Sequence, residues 1–98
     1  MGRAESQPNV ASERQRLDKW LVYARFVKTR SVALELVKKG RVRINGERTA
    51  RPDRQIARGD MLTLALPHAT SVVRVEDFAD RRGSAPEAQA LYIIVQPD

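Results

Sequence analysis

A change in the spacing of apolar residues at Gly40 constrains the fold of this 98-residue chain more than any other feature. Before Gly40 the apolar residues recur at intervals of three and four, which predicts helices. After Gly40 they alternate with polar residues, which predicts strands. A chain of this length buries only about 60% of the surface that its unfolded form exposes, so we expect one small domain rather than an enzyme with a deep cavity.

Two helices are predicted ahead of Gly40. The first begins near Arg16, and Asp18 and Lys19 are expected on its polar sides. Its apolar stripe consists of Leu17, Trp20, Leu21, Ala24 and Val27. The position of Trp20 on this stripe predicts that its side chain is buried in the core. The second helix takes Thr29 as its N-cap and ends at Gly40, where a left-handed residue is favoured. It packs on the first helix through Val32, Ala33, Leu36 and Val37.

A small antiparallel sheet is predicted after Gly40. Arginines alternate with Val42 and Ile44 up to Asn45-Gly46, the dipeptide that best suits a tight hairpin turn. Further strands are expected over residues 61–66 and 71–78, and a short helix capped by Ser84 is expected to run to about Tyr92. Residues 93–98 suit either the end of that helix or a strand. The predicted fold class is therefore α+β: two packed helices, then a small antiparallel sheet, then a short C-terminal helix.

Positive charge is concentrated in the middle of the chain. The net charge is +6, yet residues 14–60 carry fourteen Lys and Arg against five acidic residues, a net of +9. Most of the fourteen are arginines, and the planar guanidinium group of arginine can donate two parallel hydrogen bonds to one phosphate. Nucleic acid is therefore the predicted partner. A membrane is not, because the apolar runs are too short to span one and no long basic amphipathic helix is predicted.

The residue types needed for catalysis are scarce. His68 is the only histidine, it stands beside Pro67 in a predicted loop, and cysteine is absent. Carboxylates such as Asp18 and Glu35, set among arginines, are more typical of ion pairs than of acid-base catalysis. We expect no catalytic residue, no metal, no cofactor and no small-molecule substrate. The absence of cysteine and of an apolar leader favours a cytoplasmic location.

Two groups of residues are candidates for phosphate binding. Lys28, Thr29 and Arg30 combine two cations with the free N–H groups of a helix N-terminus, although Thr29 is equally suited to act only as a cap. The strand after Gly40 presents the second group. The members of this group are Arg41, Arg43 and Asn45. The side-chain amide of Asn45 suits a hydrogen bond to a base edge or a 2′-hydroxyl, or serves only to form the turn.

Four motifs in this sequence match a known family: Arg16-Leu17-Asp18-Lys19-Trp20-Leu21, Lys28-Thr29-Arg30-Ser31, Lys39-Gly40-Arg41-Val42 and Ile44-Asn45-Gly46. On the basis of these four motifs, residues 14–78 resemble the RNA-binding domain of ribosomal protein S-four, which is called the αL motif. Within that group, the first motif and Arg81-Arg82 ahead of Glu87-Ala88 look like the small ribosome-associated heat-shock proteins of fifteen kilodaltons. After Tyr92 the chain departs from that family, because an apolar ending replaces a charged extension.

The resemblance implies a non-enzymatic bacterial protein of the stress response. It would bind ribosomal RNA on large subunits that still hold a nascent chain on tRNA, and would help to rescue or recycle them. Residues 1–15 are polar and show no period, which predicts a disordered tail. Residues 14–80 would be the RNA-binding domain and residues 81–98 a helical extension. By this resemblance, the residues that contact RNA would be Arg16, Lys19, Lys28, Thr29, Arg30, Lys39, Arg41, Arg43 and Asn45. Arg25 and Arg48 are further candidates for the same surface.

Two other functions stay open. The basic face would equally suit an acidic protein partner, and purified protein free of nucleic acid would favour that interpretation. This type of domain is also often appended to RNA-modifying enzymes, so the chain would alternatively serve as an accessory that targets such an enzyme to RNA.

Overall fold

The computed structural model describes residues 13–96, so residues 1–12 of the predicted tail and the last two residues lie outside the described range. The described helices are α1 (Leu17–Tyr23), α2 (Arg30–Lys38) and α3 (Ala85–Gln89). The described strands are β1 (Arg14–Arg16), β2 (Val42–Ile44), β3 (Glu47–Arg48), β4 (Gln55–Ala57), β5 (Met61–Leu66), β6 (Ala69–Val75) and β7 (Tyr92–Gln96). The α+β class is confirmed.

The strands form two antiparallel sheets. The larger sheet has the order β3-β2-β5-β6-β7, and β1 pairs with β4 in a separate two-stranded ribbon. In the larger sheet Val42 lies opposite Leu64, and Ile44 lies opposite Leu62. All four side chains are buried in the same apolar cluster as the inner residues of α1 and α2. The core therefore lies between the two helices and one face of this sheet.

The first helix is shorter than its apolar spacing predicts. It ends at Tyr23, and the backbone of Arg25 takes a left-handed φ of 66° that turns the chain. Ala24 and Val27 are still buried, because the turn folds back and the N–H of Val27 donates to the carbonyl of Leu21 at 3.3 Å. The helical spacing of these two residues was thus a correct indicator of burial but a wrong indicator of helix length.

The predicted burial of Trp20 is confirmed. Its side chain is fully buried, and the indole N–H donates to the carbonyl of Asp77 at 3.0 Å. The ring lies 5.8 Å from that of Phe26 and 6.4 Å from that of Tyr92, measured between centroids. This aromatic cluster fastens α1 to the segments that follow β6.

Local signals placed the turns correctly. The hydroxyl of Thr29 accepts a hydrogen bond from the N–H of Val32 at 3.3 Å, so Thr29 caps α2 as predicted. Gly40 ends α2 with a φ of 76°. Asn45 and Gly46 take φ values of 51° and 88° between β2 and β3, as the predicted hairpin turn requires.

The structure corrects the predictions at both ends. Arg14 and Gln15, assigned to the tail, belong to β1, where Gln15 also donates a side-chain hydrogen bond to the carbonyl of Ala79 at 2.7 Å. The pairing of β1 with β4 joins segments about forty residues apart, so periodicity within one segment does not reveal it.

The helix predicted to run to about Tyr92 is wrong beyond Gln89, and residues 93–96, which the sequence left open between helix and strand, belong to a strand. The cap at Ser84 is confirmed, with a reciprocal bond to Glu87, but α3 ends at Gln89 and β7 follows, paired with β6. The β-branched residues of β7 favour this strand: Ile93, Ile94 and Val95. The strand predicted over residues 71–78 is β6, which begins at Ala69 after a two-residue turn and ends at Val75.

Replacing Gly40 tests the α2 terminus. We expect Gly40→Ala to lower the free energy of unfolding by about 1–2 kcal/mol, because a residue with a Cβ is strained at positive φ. The added Cβ would also lie 2.9 Å from Cδ of Arg48 and displace that side chain, whereas at Gly46 it would meet open space. Urea denaturation measures both effects, with Gly46→Ala as the control for backbone strain alone. An unchanged urea midpoint in Gly40→Ala would contradict this account of the helix end.

Candidate nucleic-acid interface

A buried carboxylate joins two of the predicted site residues. Asp18 was expected on the polar side of the first helix, but its side chain is 0% exposed. Its Oδ2 accepts hydrogen bonds from Nη2 of Arg16 at 2.9 Å and from Nε of Arg30 at 3.1 Å. Its Oδ1 accepts from Nε of Arg16 at 3.2 Å and from the backbone N–H of Lys19 at 2.7 Å. We call Arg16, Asp18 and Arg30 the Asp18 clasp.

The clasp is charged at neutral pH. Burial raises the pKa of the Asp18 carboxyl, but the hydrogen bonds from Arg16, Arg30 and the N–H of Lys19 outweigh burial and hold the pKa below its ordinary value. The hydrogen bond to Asp18 likewise raises the pKa of Arg16. Two guanidinium groups around one carboxylate leave the clasp with one net positive charge.

Different elements supply the two arginines. Arg16 is the last residue of β1 and Arg30 is the first residue of α2. Backbone bonds fix the start of α1 between them, since the N–H of Asp18 donates to the carbonyl of Pro52 at 3.0 Å. The side chains of Arg16 and Arg30 are still 38% and 51% exposed. Each guanidinium has five donors, so both retain N–H groups for a further acceptor such as phosphate.

The residues before α2 lie next to the clasp in sequence. Lys28, Thr29 and Arg30 are all exposed at the N-terminus of this nine-residue helix, where the helix dipole favours an anion. The hydroxyl of Thr29 is engaged in capping, so the backbone and the two cations are the groups left for an anion. Phosphate binding at this point stays a prediction.

The C-terminal end of α2 carries a second basic group. Lys39 and Arg41 are exposed and line one shallow groove, and the Nζ of Lys39 lies 4.0 Å from Glu35 in a solvent-exposed pair. Arg43 lies opposite Arg48 across β2 and β3, and both are exposed. Like charges placed opposite each other repel, so an anion between them would be stabilising. A helix of nine residues separates this group from the clasp by about 13 Å.

Three predicted residues bond to nearby segments. The Nη1 of Arg43 donates to the carbonyl of Gly46 at 3.3 Å, within the hairpin. The Oδ1 of Asn45 accepts from the N–H of Met61 at 2.9 Å, and its Nδ2 donates to Asp60 at 3.2 Å, so the amide holds the hairpin against β5. The Nε of Arg25 donates to the carbonyl of Gly83 at 2.9 Å and so faces the C-terminal segment. Lys19 is exposed next to the clasp.

Two contributors to this surface were not predicted from the sequence. Arg14 is exposed on β1 and shares a face with Arg16, because alternate residues of a strand point the same way. The sequence signal was the spacing of these two arginines, which the polar composition of the preceding segment concealed. Asp18 was interpreted only as an ion-pair partner at the surface, and its position one residue after an apolar Leu17 gave no sign that it is buried.

Within residues 13–96, no helix is long and apolar enough to cross a membrane. The same part of the chain holds no group of three or more acidic or histidine side chains placed to bind a metal ion.

The chain is similar to one family model and to several known proteins. The S4 domain family model matches residues 15–62. A Heat shock protein 15 homolog from Haemophilus influenzae is 40% identical over 83 residues, which are 85% of this chain and 63% of the relative. An RQC P-site tRNA stabilizing factor from Listeria monocytogenes is 31% identical over 83 residues, 85% of this chain and 88% of the relative.

A solved structure is similar over most of its length. Heat Shock Protein 15 from Vibrio cholerae, described as trimeric, is 44% identical with a TM-score of 0.79, and the match covers 85% of this chain and 83% of that one. The chain spans about three-fifths of the length of the Heat shock protein 15 relatives from Haemophilus influenzae and Escherichia coli, with 63% and 57% of them covered.

Replacing Asp18 tests the clasp. We expect Asp18→Asn to lower the free energy of unfolding by about 1–3 kcal/mol, because three charge-assisted hydrogen bonds from two arginines lose their ionised acceptor. The pKa of Asp18 is lowered on folding, so its contribution is complete above the unfolded pKa of about 4 and is lost as the pH falls through the folded pKa. The variant should therefore lose less stability than the wild type on acidification below about pH 4.

The measurement is urea denaturation at several pH values. Asp53→Asn is the control, because Asp53 pairs with Arg51 at 3.4 Å but both side chains are at least half exposed. Equal losses in the two variants would mean that the clasp contributes no more than a surface ion pair.

Proposed function

This chain belongs to the S4 domain family, as its motifs predicted, and on that premise we propose that it binds ribosomal RNA on the large ribosomal subunit. The proposed surface consists of the Asp18 clasp, the residues before α2 and the basic group at the end of α2. Binding is the whole of the proposed action, with no chemical step.

The relatives support an RNA-binding, ribosome-associated role. One group is named for heat shock, and the other is named for stabilising tRNA in the P site. By analogy, we propose that this protein acts on large subunits that hold a nascent chain on tRNA and favours their rescue or recycling. Transfer RNA is then a second proposed partner, and the basic surface suits it for the same electrostatic reason.

The Asp18 clasp is the observation that carries the proposal. Arginines on flexible side chains lose conformational entropy when they bind phosphate, and a pre-organised guanidinium loses less. Asp18 holds Arg16 and Arg30 from two directions while leaving each partly exposed. Two guanidinium groups at a fixed separation suit a folded RNA backbone, whose phosphates are themselves fixed in space.

The mode of binding follows from the side chains available. Trp20 is buried, and the other aromatic side chains, Tyr23, Phe26, Phe78 and Tyr92, are partly buried against the core, so none is offered for stacking on a base. The proposed basic surface therefore recognises RNA through phosphate contacts and the shape of the folded RNA, as is common for proteins that bind double-stranded RNA. Each phosphate that is neutralised releases counterions, so the affinity should fall with a log-log slope of about −0.7 to −0.9 per contact as salt rises.

Two arginines at opposite ends of α2 test this surface. We expect Arg30→Ala and Arg41→Ala each to weaken binding to large-subunit ribosomal RNA and to make the salt slope shallower by about 0.7–0.9, because each removes one phosphate contact. Filter binding at several salt concentrations measures both quantities. Because Arg30 also binds the buried Asp18, circular dichroism and urea denaturation check that each variant is folded under the binding conditions.

Arg74→Ala is the matched control, because Arg74 is also partly exposed but is paired with Glu76 at 2.6 Å on β6, outside the proposed surface. The proposal requires wild-type slopes in this variant. If all three variants gave the wild-type slope, or if the wild type bound an acidic protein and no RNA, the proposal would be wrong.

A further inference from the structure

A groove runs beside the second half of α2. It has a volume of about 400 Å³, within the range of about 300–1,000 Å³ that is common for sites that bind small molecules. We call it the α2 groove, and its lining residues are Val32, Glu35, Leu36, Lys39, Arg41, Ala65 and Pro67.

The groove has an apolar wall that the fold leaves open. Val32 was predicted to pack on the first helix with Ala33, Leu36 and Val37, but it is 48% exposed whereas the other three are buried. Val32 therefore adds nothing to the core. Together with Ala65 and Pro67 on the other side, it offers apolar surface to whatever occupies the groove.

Backbone hydrogen bonds hold the two walls together. The N–H of Ala65 donates to the carbonyl of Arg41 at 2.9 Å, and the N–H of Arg41 donates to the carbonyl of Leu36 at 3.2 Å. These bonds link the end of α2, the start of β2 and the end of β5. The groove is thus formed before any ligand binds, which lowers the entropic cost of binding.

Charge surrounds this apolar surface. Lys39 and Arg41 are exposed cations at the groove, and Glu35 is 76% exposed with only a 4.0 Å contact to Lys39. An apolar surface flanked by cations is complementary to an unstacked nucleotide, whose base has an apolar face and whose phosphates are anionic.

We propose that the α2 groove holds one unstacked nucleobase of the bound RNA, with Lys39 and Arg41 on the adjacent phosphates and the Glu35 carboxylate accepting a hydrogen bond from an exocyclic amino group. The inference rests on the proposed RNA-binding function and adds a preference within it. Carboxylates accept from the amino group of cytosine. Adenine and guanine also carry exocyclic amino groups and uracil does not, so uracil is the disfavoured base.

The test compares single-stranded and double-stranded RNA on the full chain. The probes are labelled oligomers of cytidine, adenosine or uridine about ten nucleotides long and an RNA duplex, with affinities from fluorescence anisotropy at fixed salt. We expect Val32→Ser to weaken binding of the cytidine and adenosine oligomers about fivefold, which corresponds to the lower end of what stacking on an aromatic side chain contributes, and to leave duplex binding within about twofold.

Two further variants complete the design. Glu35→Gln should reduce the preference for cytidine over uridine oligomers, because the amide is a weaker acceptor than the carboxylate. Val95→Ser is the control, since Val95 is 44% exposed on β7 and does not line the groove. It should bind every probe as the wild type does.

The outcomes separate the two proposals. If the wild type binds duplex in a salt-dependent way but Val32→Ser changes single-strand and duplex binding equally, or changes neither, the groove proposal is overturned and the proposed function stands. If the wild type binds none of the probes, nor large-subunit ribosomal RNA, both are overturned. A selective loss of single-strand binding in Val32→Ser supports both.

Discussion

The arrangement of this fold depends on one buried carboxylate. An ionised Asp18 without partners would be strongly destabilising inside a protein, so the core requires the two arginines that bind it. Arg16 arrives from the two-stranded ribbon and Arg30 from the start of α2, so the clasp fixes the ribbon and both helices relative to one another. The same bonds leave guanidinium groups at the surface. Stability and phosphate presentation therefore come from the same three side chains.

The second helix connects the clasp to the rest of the proposed surface. Its N-terminus carries Arg30, and its C-terminus leads to Lys39 and, after the left-handed Gly40, to Arg41 and the arginines of the hairpin. The length of α2 therefore sets the distance between the two basic groups. Phosphates that contact both groups must lie about that far apart, which selects RNA by its shape. Val32 lies between the two ends of α2 and is exposed. Its side chain offers an apolar contact to an unstacked base, which the phosphates of a duplex cannot make.

Residues whose roles follow from local conformational preferences were predictable from the sequence. Thr29, Gly40 and the Asn45-Gly46 turn lie where expected, because capping and left-handed conformations are local preferences. Features that depend on distant partners were not predictable. The left-handed Arg25 ends α1 early, β1 needs β4, and Asp18 is buried only because Arg16 and Arg30 converge on it. The candidate site residues came from motifs and charge. The sequence offered a turn-forming role for Asn45 but did not reveal its bonds to Met61 and Asp60, nor the bond of Arg25 to Gly83.

The most direct test of the clasp as an RNA-binding element uses the Nε–H groups of its arginines. Both donate to Asp18, at 3.2 Å from Arg16 and 3.1 Å from Arg30, which slows their exchange with water and makes them observable by nuclear magnetic resonance. We expect both resonances to shift or broaden when a fragment of large-subunit ribosomal RNA is added, with the Nε–H of Arg74 unchanged. If RNA bound and shifted other resonances while those of Arg16 and Arg30 stayed in place, the clasp would not be part of the binding surface.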